Sequence, residues 1–344
     1  MMYGITFVIS FLLALGAAYA VRRVALFYNI IDTPDGRRKK HETSRPLLGG
    51  VAIYASFFIV LFGIYFLRPE YFVNITRIQL IALFCGSTIL MLGGYADDRY
   101  TLVPRNQFLF PLLATLTILV GGVNITQITN PFGGASFDIG AFVAGGVPFV
   151  AGAIVFVWLM GLMYTTKILD GVDGLVGGIT AIGAFIIFLL TQSPRFFQQD
   201  VGLVSLIFIG ACLGFLVLNF PPAKLFLGEG GSLFTGFILG NLAIIAGSKI
   251  ATTLLVMGLP MVDLAYTIYR RIRSGASPFK GDAEHLHFRL LQKGFTARRL
   301  VLVKYLFAAL FGVSTLMLQS SQKIVALFFL VCLSVAFIKF AHRP

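Results

Sequence analysis

Eleven stretches of about twenty apolar residues recur along the chain, near residues 3–25, 48–67, 78–96, 107–124, 143–166, 174–193, 201–218, 232–247, 249–269, 300–318 and 324–340. A helix needs about that many to cross the hydrocarbon core of a bilayer, and no soluble core could bury so many. Composition agrees: 58% of residues are hydrophobic and only 12% charged, roughly half the charge of a soluble domain. The expectation is an all-α, polytopic integral membrane protein of about eleven spans, with residues 1–344 forming a single membrane-embedded domain. The opening run "MMYGITFVISFLLALGAAYAV" carries its charges, Arg22 and Arg23, after it, which reads as a retained first span and not a cleaved signal. Only "GSK" divides the eighth stretch from the ninth. The Gly-rich stretch 125–147 reads as a short structured loop on the outside.

Charge sets the expected orientation. With the N-terminus outside, the outer loops hold Arg68, Arg77, Arg195, Lys249 and Lys323, and the other 22 of the 27 Lys and Arg fall at inner ends or loops. Basic residues concentrate in cytoplasmic loops, so the C-terminus is expected in the cytoplasm and the chain in the inner (cytoplasmic) membrane. The net charge of +13 is then a topology signal, and no nucleic-acid partner is expected from it. Cys85, Cys212 and Cys332 stand singly in separate apolar stretches, a spacing that suggests neither a metal cluster nor a disulfide framework.

The inner face carries the acids, histidines and glycine turns, in loops 32–50, 97–107, 167–178, 219–232 and 270–299, whereas the outer acids Glu70, Asp138 and Asp200 are scattered. Chemistry is therefore expected at the cytoplasmic surface of the membrane. Asp97 and Asp98 close the third stretch, where a helix end is already partly negative. Two carboxylates there make sense if a divalent cation or a positive partner gathers; the alternative is a solvated end paired to Arg99 and Arg105. In "LDGVDG", Asp170 and Asp173 share a face if the stretch is helical, and Gly171 and Gly174 allow close approach; a helix N-cap would account for one of the two.

"NFPPAKLFLGEGGS" reads as a helix end, a proline break, a short apolar link and a glycine turn into the eighth stretch, with Ser232 as its N-cap. Such a turn offers N–H groups to an anion such as pyrophosphate. Glu229 within it would oppose a phosphate unless a metal bridged them, and magnesium favours oxygen ligands and phosphates. His285 and His287 would diverge by roughly 200° on a helix, so a turn presenting both to one ligand is expected. Lys280, Arg289, Lys293, Arg298 and Arg299 surround them and suit phosphate or lipid head groups.

Taken in order over residues 1–310, "HETSRPLLGG", "DDRYTL", "LDGVDGL", "NFPPAKLFLGEGGSLFTG" and "HLHFRLL" resemble the polyprenyl-phosphate N-acetylhexosamine-1-phosphate transferase family. The last motif is similar to the undecaprenyl-phosphate GlcNAc-1-phosphate transferase-like branch of glycosyltransferase family 4. The resemblance implies transfer of a sugar-1-phosphate from a UDP-sugar to undecaprenyl phosphate with release of UMP, the first membrane step of cell-surface glycan synthesis. Magnesium is the implied cofactor, or manganese in its place. Asp97 and Asp98 would lie beside the lipid phosphate and metal, Asp97 acting as base on the acceptor. Asp170 would join the catalytic group, and Asp98, Asp170 and Glu229 would hold the metal. Asp173 would approach the nucleotide, Asn219 and Phe226 would hold the uridine, Phe226 by stacking, and His285, His287 and Arg289 would meet the donor's phosphates. The implied partners are these two substrates and the lipid bilayer, and a homodimer is left open.

Several positions depart from the family pattern. Tyr164 and Lys167 stand where asparagines lead into the second acidic motif, Glu229 stands for an aspartate, and Phe288 stands where a second histidine is common. Lys167 is expected to offer a cation to the donor's pyrophosphate or to pair with Asp170. A divergent transferase fits these changes, as does a catalytically impaired relative serving as a lipid-binding or structural membrane protein. A secondary transporter would place its acids near mid-helix, whereas here most stand at inner helix ends.

Overall fold

The computed structural model describes residues 2–32, 44–128, 130, 133–141, 143–144, 147–247, 249–275 and 285–342. Two pieces of the expected motif loops, 33–43 and 276–284 with Lys280, lie outside the described residues. The chain is helical almost throughout: α1 (Met2–Phe27), α2 (Gly49–Leu67), α3 (Arg77–Tyr100), α4 (Pro104–Val120), α5 (Phe149–Leu169), α6 (Leu175–Thr191), α7 (Gln199–Asn219), α8 (Glu229–Ile245), α9 (Ile250–Val256), α10 (Gly258–Arg273), α11 (Leu286–Gln292), α12 (Ala297–Met317) and α13 (Ser320–His342). Among the described residues three short antiparallel ribbons, each of two two-residue strands, accompany them. Two of these, Gln127–Ile128 with Phe137–Asp138 and Val143–Ala144 with Val147–Pro148, give the 125–147 stretch its structure.

Every expected apolar stretch contains a helix, yet they are not alike. Among the described residues seven helices are long and apolar enough to cross a membrane, and an eighth crossing exists if α9 and α10, bent by 82°, count together. The ninth expected span is therefore broken, at Met257 just before Gly258 and Pro260, residue types at which helix kinks ordinarily fall. Helices α4, α6 and α8 have 17 residues each, about 25 Å of helix, so the chain is a polytopic membrane protein built partly from short helices.

The short helix α8 is the hub, packed against α2, α3, α5, α6, α7 and α9. Residues Gly230–Ile244 are all buried, as expected of a helix apolar on every side. Its first turn is approached at backbone contact by two neighbours. A Cβ on Gly50 of α2 would lie 2.2 Å from Gly231 Cα, and one on Gly94 of α3 would lie 2.0 Å from Gly230 N. Only glycine permits this, and it carries the end of α3 to the start of α8. The helix also begins earlier than the sequence suggests: Gly228, at φ 79°, precedes it, while Ser232 sits inside the first turn with its hydroxyl donating to Glu229 O at 2.9 Å.

The bundle has two contrasting ends. At one, Asp200 reaches the turn before α3, Lys249 lies 3.5 Å from the centre of the Phe196 ring, and Lys323 donates to Thr252. At the other, the described parts of the five sequence motifs meet.

Candidate active site

Backbone bonds knit the motif loops together. Phe226 N donates to Pro46 O at 2.9 Å, Gly49 N to Phe226 O at 2.9 Å and Gly50 N to Leu227 O at 2.7 Å, so the "RPLLGG" and "AKLFLG" segments run as one unit. The acidic segment 170–174 is a turn between α5 and α6 and not a helix face, because Asp170 follows the last residue of α5 and Gly174, at φ 74°, opens α6. Asn219 fastens it: its Oδ1 accepts from Gly174 N at 2.9 Å and its Nδ2 donates to Leu225 O at 2.9 Å. Asp173 Oδ2 accepts from Ala223 N at 2.9 Å, Arg298 Nε donates to Pro221 O at 2.7 Å, and the Tyr305 hydroxyl donates to Gly174 O. Asn219 and Asp173, expected at the nucleotide, thus both brace the loop that bears Asp170. Phe226 is half-buried and fixed through its backbone.

The acid pair at the end of α3 divides its work. Asp97 Oδ1 accepts from Leu102 N at 2.8 Å and from Gln107 Nε2 at 2.9 Å, closing the turn into α4. Asp98 Oδ1 accepts from Glu229 N at 3.2 Å, and a Cβ on Gly228 would lie 2.6 Å from its Oδ2. Among the described residues no ion pair joins either acid to Arg99 or Arg105, so the solvated-end alternative has no support. Glu229 is paired with Lys167, whose side chain is 24% exposed against 17% for Glu229. Lys167 Nζ also donates to Gln107 Oε1 at 3.0 Å. Its partner is therefore Glu229 and not Asp170.

The histidines separate as well. His285 caps α11, its Nδ1 lying 3.3 Å from both Asp263 Oδ2 and the Thr267 hydroxyl, while Asp263 Oδ1 accepts from Leu286 N at 3.0 Å. It is a strut onto α10. His287 is fully buried inside α11, its ring parallel to that of His285 at 5.7 Å. Among the described residues neither of its ring nitrogens has a hydrogen-bond partner. It lies against the acidic turn, since a Cβ on Gly171 would come within 3.0 Å of its Nε2. Burial, then the nearby Lys304 ammonium and His285, hold its imidazole well below the usual histidine range, so it stays neutral. Arg289 lies half-buried in the last turn of the same helix.

The acids expected to hold magnesium crowd one another. Burial, then the charges of Glu229, Asp98 and Asp173, push the Asp170 carboxyl well above the usual carboxylate range. Among the described residues no three His, Cys, Asp or Glu converge on one metal position, and Glu229 already has its cation. Asp98 and Asp170 remain, with no ion pair to either among those residues. Magnesium commonly takes one or two carboxylates and completes its shell with water and substrate phosphate, so this pair fits the ion.

Three supporting residues escape a reading of motifs alone. Gln107 links Asp97 to Lys167, Asp263 fixes His285, and Tyr305 holds the acidic turn. Asp263 had a legible signal, an acid inside an apolar stretch. Gln107 and Tyr305 had none.

The family model of glycosyl transferase family 4 matches residues 80–247, which include Asp97, Asp98, Asp170, Asp173 and Glu229. A Bacillus subtilis protein described as a probable undecaprenyl-phosphate N-acetylglucosaminyl 1-phosphate transferase is 29% identical over 96% of this chain and 88% of its own length. The decaprenyl-phosphate N-acetylglucosaminephosphotransferase of Mycobacterium tuberculosis is 30% identical over 79% of this chain and 72% of its own. The undecaprenyl-phosphate alpha-N-acetylglucosaminyl 1-phosphate transferase of Escherichia coli is 26% identical over 94% and 86%.

Proposed function

The chain belongs to glycosyl transferase family 4, and on that premise we propose that it transfers an N-acetylhexosamine-1-phosphate from a UDP-sugar to undecaprenyl phosphate, releasing UMP. The observation that carries this reading is the meeting of Asp98, Asp170, Glu229 and Lys167 at one end of the bundle, beside His287, whose ring nitrogens have no hydrogen-bond partner among the described residues. The names of the relatives supply the acceptor class and the N-acetylglucosamine.

An oxygen of the acceptor phosphate attacks the sugar-bearing phosphorus of the donor; the bond from that phosphorus to the bridging oxygen breaks, and UMP leaves with the electron pair. Two anions must meet, so the rate depends on neutralising charge and on holding the groups in line. Magnesium, when bound, supplies positive charge to the phosphoryl oxygens; Asp98 and Asp170 would hold it. Asp97, the base implied by resemblance, has Oδ1 in the α3–α4 turn and keeps Oδ2 to take the acceptor's remaining proton. His287 offers a neutral ring to the donor's phosphates, and Phe226 lies on the segment braced by Asn219, where the uracil would stack.

The orientation we propose has eleven crossings, the ninth broken, the N-terminus outside and the site facing the cytoplasm from the inner membrane. The split of basic residues supports it. A cysteine at Ser274 should then label only from the cytoplasmic side and one at Ser136 only from outside; the reverse would overturn the orientation. The reaction is tested with purified protein, undecaprenyl phosphate, magnesium and a panel of UDP-sugars. UMP release with an N-acetylhexosamine donor is expected. No release from any donor would leave the impaired, lipid-binding relative as the reading.

A further inference from the structure

The cation at the centre of the site is part of the chain. Lys167 occupies the last turn of α5, the helix end that favours positive charge, and Glu229 the first turn of α8, the end that favours negative charge. Each helix field therefore stabilises its half of the pair. The ammonium is held further by Gln107 Oε1 at 3.0 Å, and Gln107 is itself fixed by its Nε2 bonds to Asp97 Oδ1 at 2.9 Å and Leu102 O at 3.0 Å. The Tyr164 ring lies 5.9 Å from the ammonium. Side chains from α3, α4, α5 and α8 thus hold one lysine against one carboxylate in a partly buried place, where screening by water is weak.

A divalent ion bound to Glu229 would have to displace that ammonium or sit beside it against direct repulsion. Asp98 and Asp170 lack such a partner among the described residues, but two carboxylates fill only part of the octahedral shell that magnesium requires. Phosphate oxygens from a nucleotide would fill the rest and also give the lysine a second anion to contact.

We propose that Lys167 closes Glu229 to metal in the substrate-free protein, so that a divalent cation enters on Asp98 and Asp170 only together with a phosphate-bearing nucleotide. Lys167 is thus a positioning residue that sets the order of assembly. The inference rests on the reading of this site as a nucleotide-sugar phosphotransferase.

The test is equilibrium dialysis of manganese(II), as the metal probe, against purified full-length protein with and without UDP. Wild-type protein should bind the metal weakly alone and about tenfold or more tightly with UDP. Lys167→Gln should bind it about tenfold more tightly than wild type without UDP, Lys167→Arg should behave as wild type, and Lys167→Gln with Glu229→Gln should lose the gain. Equal wild-type affinity with and without UDP, no gain in Lys167→Gln, or a gain that survives in the double variant would each overturn the proposal. The wild-type comparison needs no variant, so a variant that fails to fold leaves the test standing. UMP release measured on the same preparation keeps the two readings apart. Release without the manganese pattern sinks only the role of Lys167, and the pattern without release sinks only the transferase reading.

Discussion

Each end of the bundle buries carboxylates, and the two ends treat them in opposite ways. Asp200, with 0% of its surface exposed, accepts from Asn74 N at 2.6 Å, Asn74 Nδ2 at 2.9 Å, Ile75 N at 2.8 Å and its own Val201 at 2.9 Å. Four donors and the start of a helix stabilise one negative charge, and the turn before α3 is pinned to α7 as a result. At the motif end Asp98, Asp170 and Glu229 face one another with Lys167 as their nearby cation. A fold that needed only stability would arrange its acids as it arranges Asp200. Crowded acids of this kind are typical of functional sites.

Substitution by the isosteric amide should break this comparison open. The largest effect is expected on turnover: Asp98→Asn and Asp170→Asn should each lower UMP release by about a hundredfold or more while the protein still elutes as a folded species. Near-normal rates in both would make the site end as structural as the other. Next, Asp200→Asn should cost about 1–3 kcal/mol, because an amide leaves bound donors without an acceptor. That loss would read as a lower melting temperature in detergent with an unchanged rate per folded molecule; an unchanged melting temperature would remove the contrast.

Asp170→Asn should move stability the other way. An ordinary aspartate ionises near 3.8, and that of Asp170 is raised well above it in the fold. Above 3.8 the unfolded chain has released a proton that the folded state still holds, so stability falls as pH rises through the window between the two values. The amide removes this penalty, and the variant should melt higher than wild type at neutral pH, with the gap closing as pH falls toward 3.8. A variant that melts lower at neutral pH would mean that donors satisfy the carboxylate after all. The smallest effect belongs to the exposed pair Arg68–Glu70, 3.5 Å apart. Glu70→Gln should change stability by less than about 0.5 kcal/mol, as judged from the same melting experiment.

Much of the site was legible because its residue types are costly where they stand. Paired aspartates, a glutamate in a glycine turn and two histidines have little reason to sit at the edge of a bilayer unless chemistry requires them. Their individual duties were less legible. Asn219 and Asp173 read as ligands in a motif, and their bonds to Gly174, Leu225 and Ala223 add a bracing duty that spacing does not show. His285 and His287 look equivalent, but Asp263, far from them in sequence, takes only the first. The partner of Lys167 lies 62 positions away, so spacing pointed to the nearer Asp170.

The sequence by itself determined that the chain is helical and membrane-embedded, and which family it joins. Those properties follow from local hydropathy and from residue types in order, and both are readable without knowing what touches what. The depth of the short helix α8 and the pairing of Lys167 with Glu229 were decided only by tertiary structure. Both depend on how closely segments distant in sequence approach. At Gly94 against Gly230 that distance leaves no room for a Cβ, and it is this contact between distant segments that brings Asp98 to the start of α8.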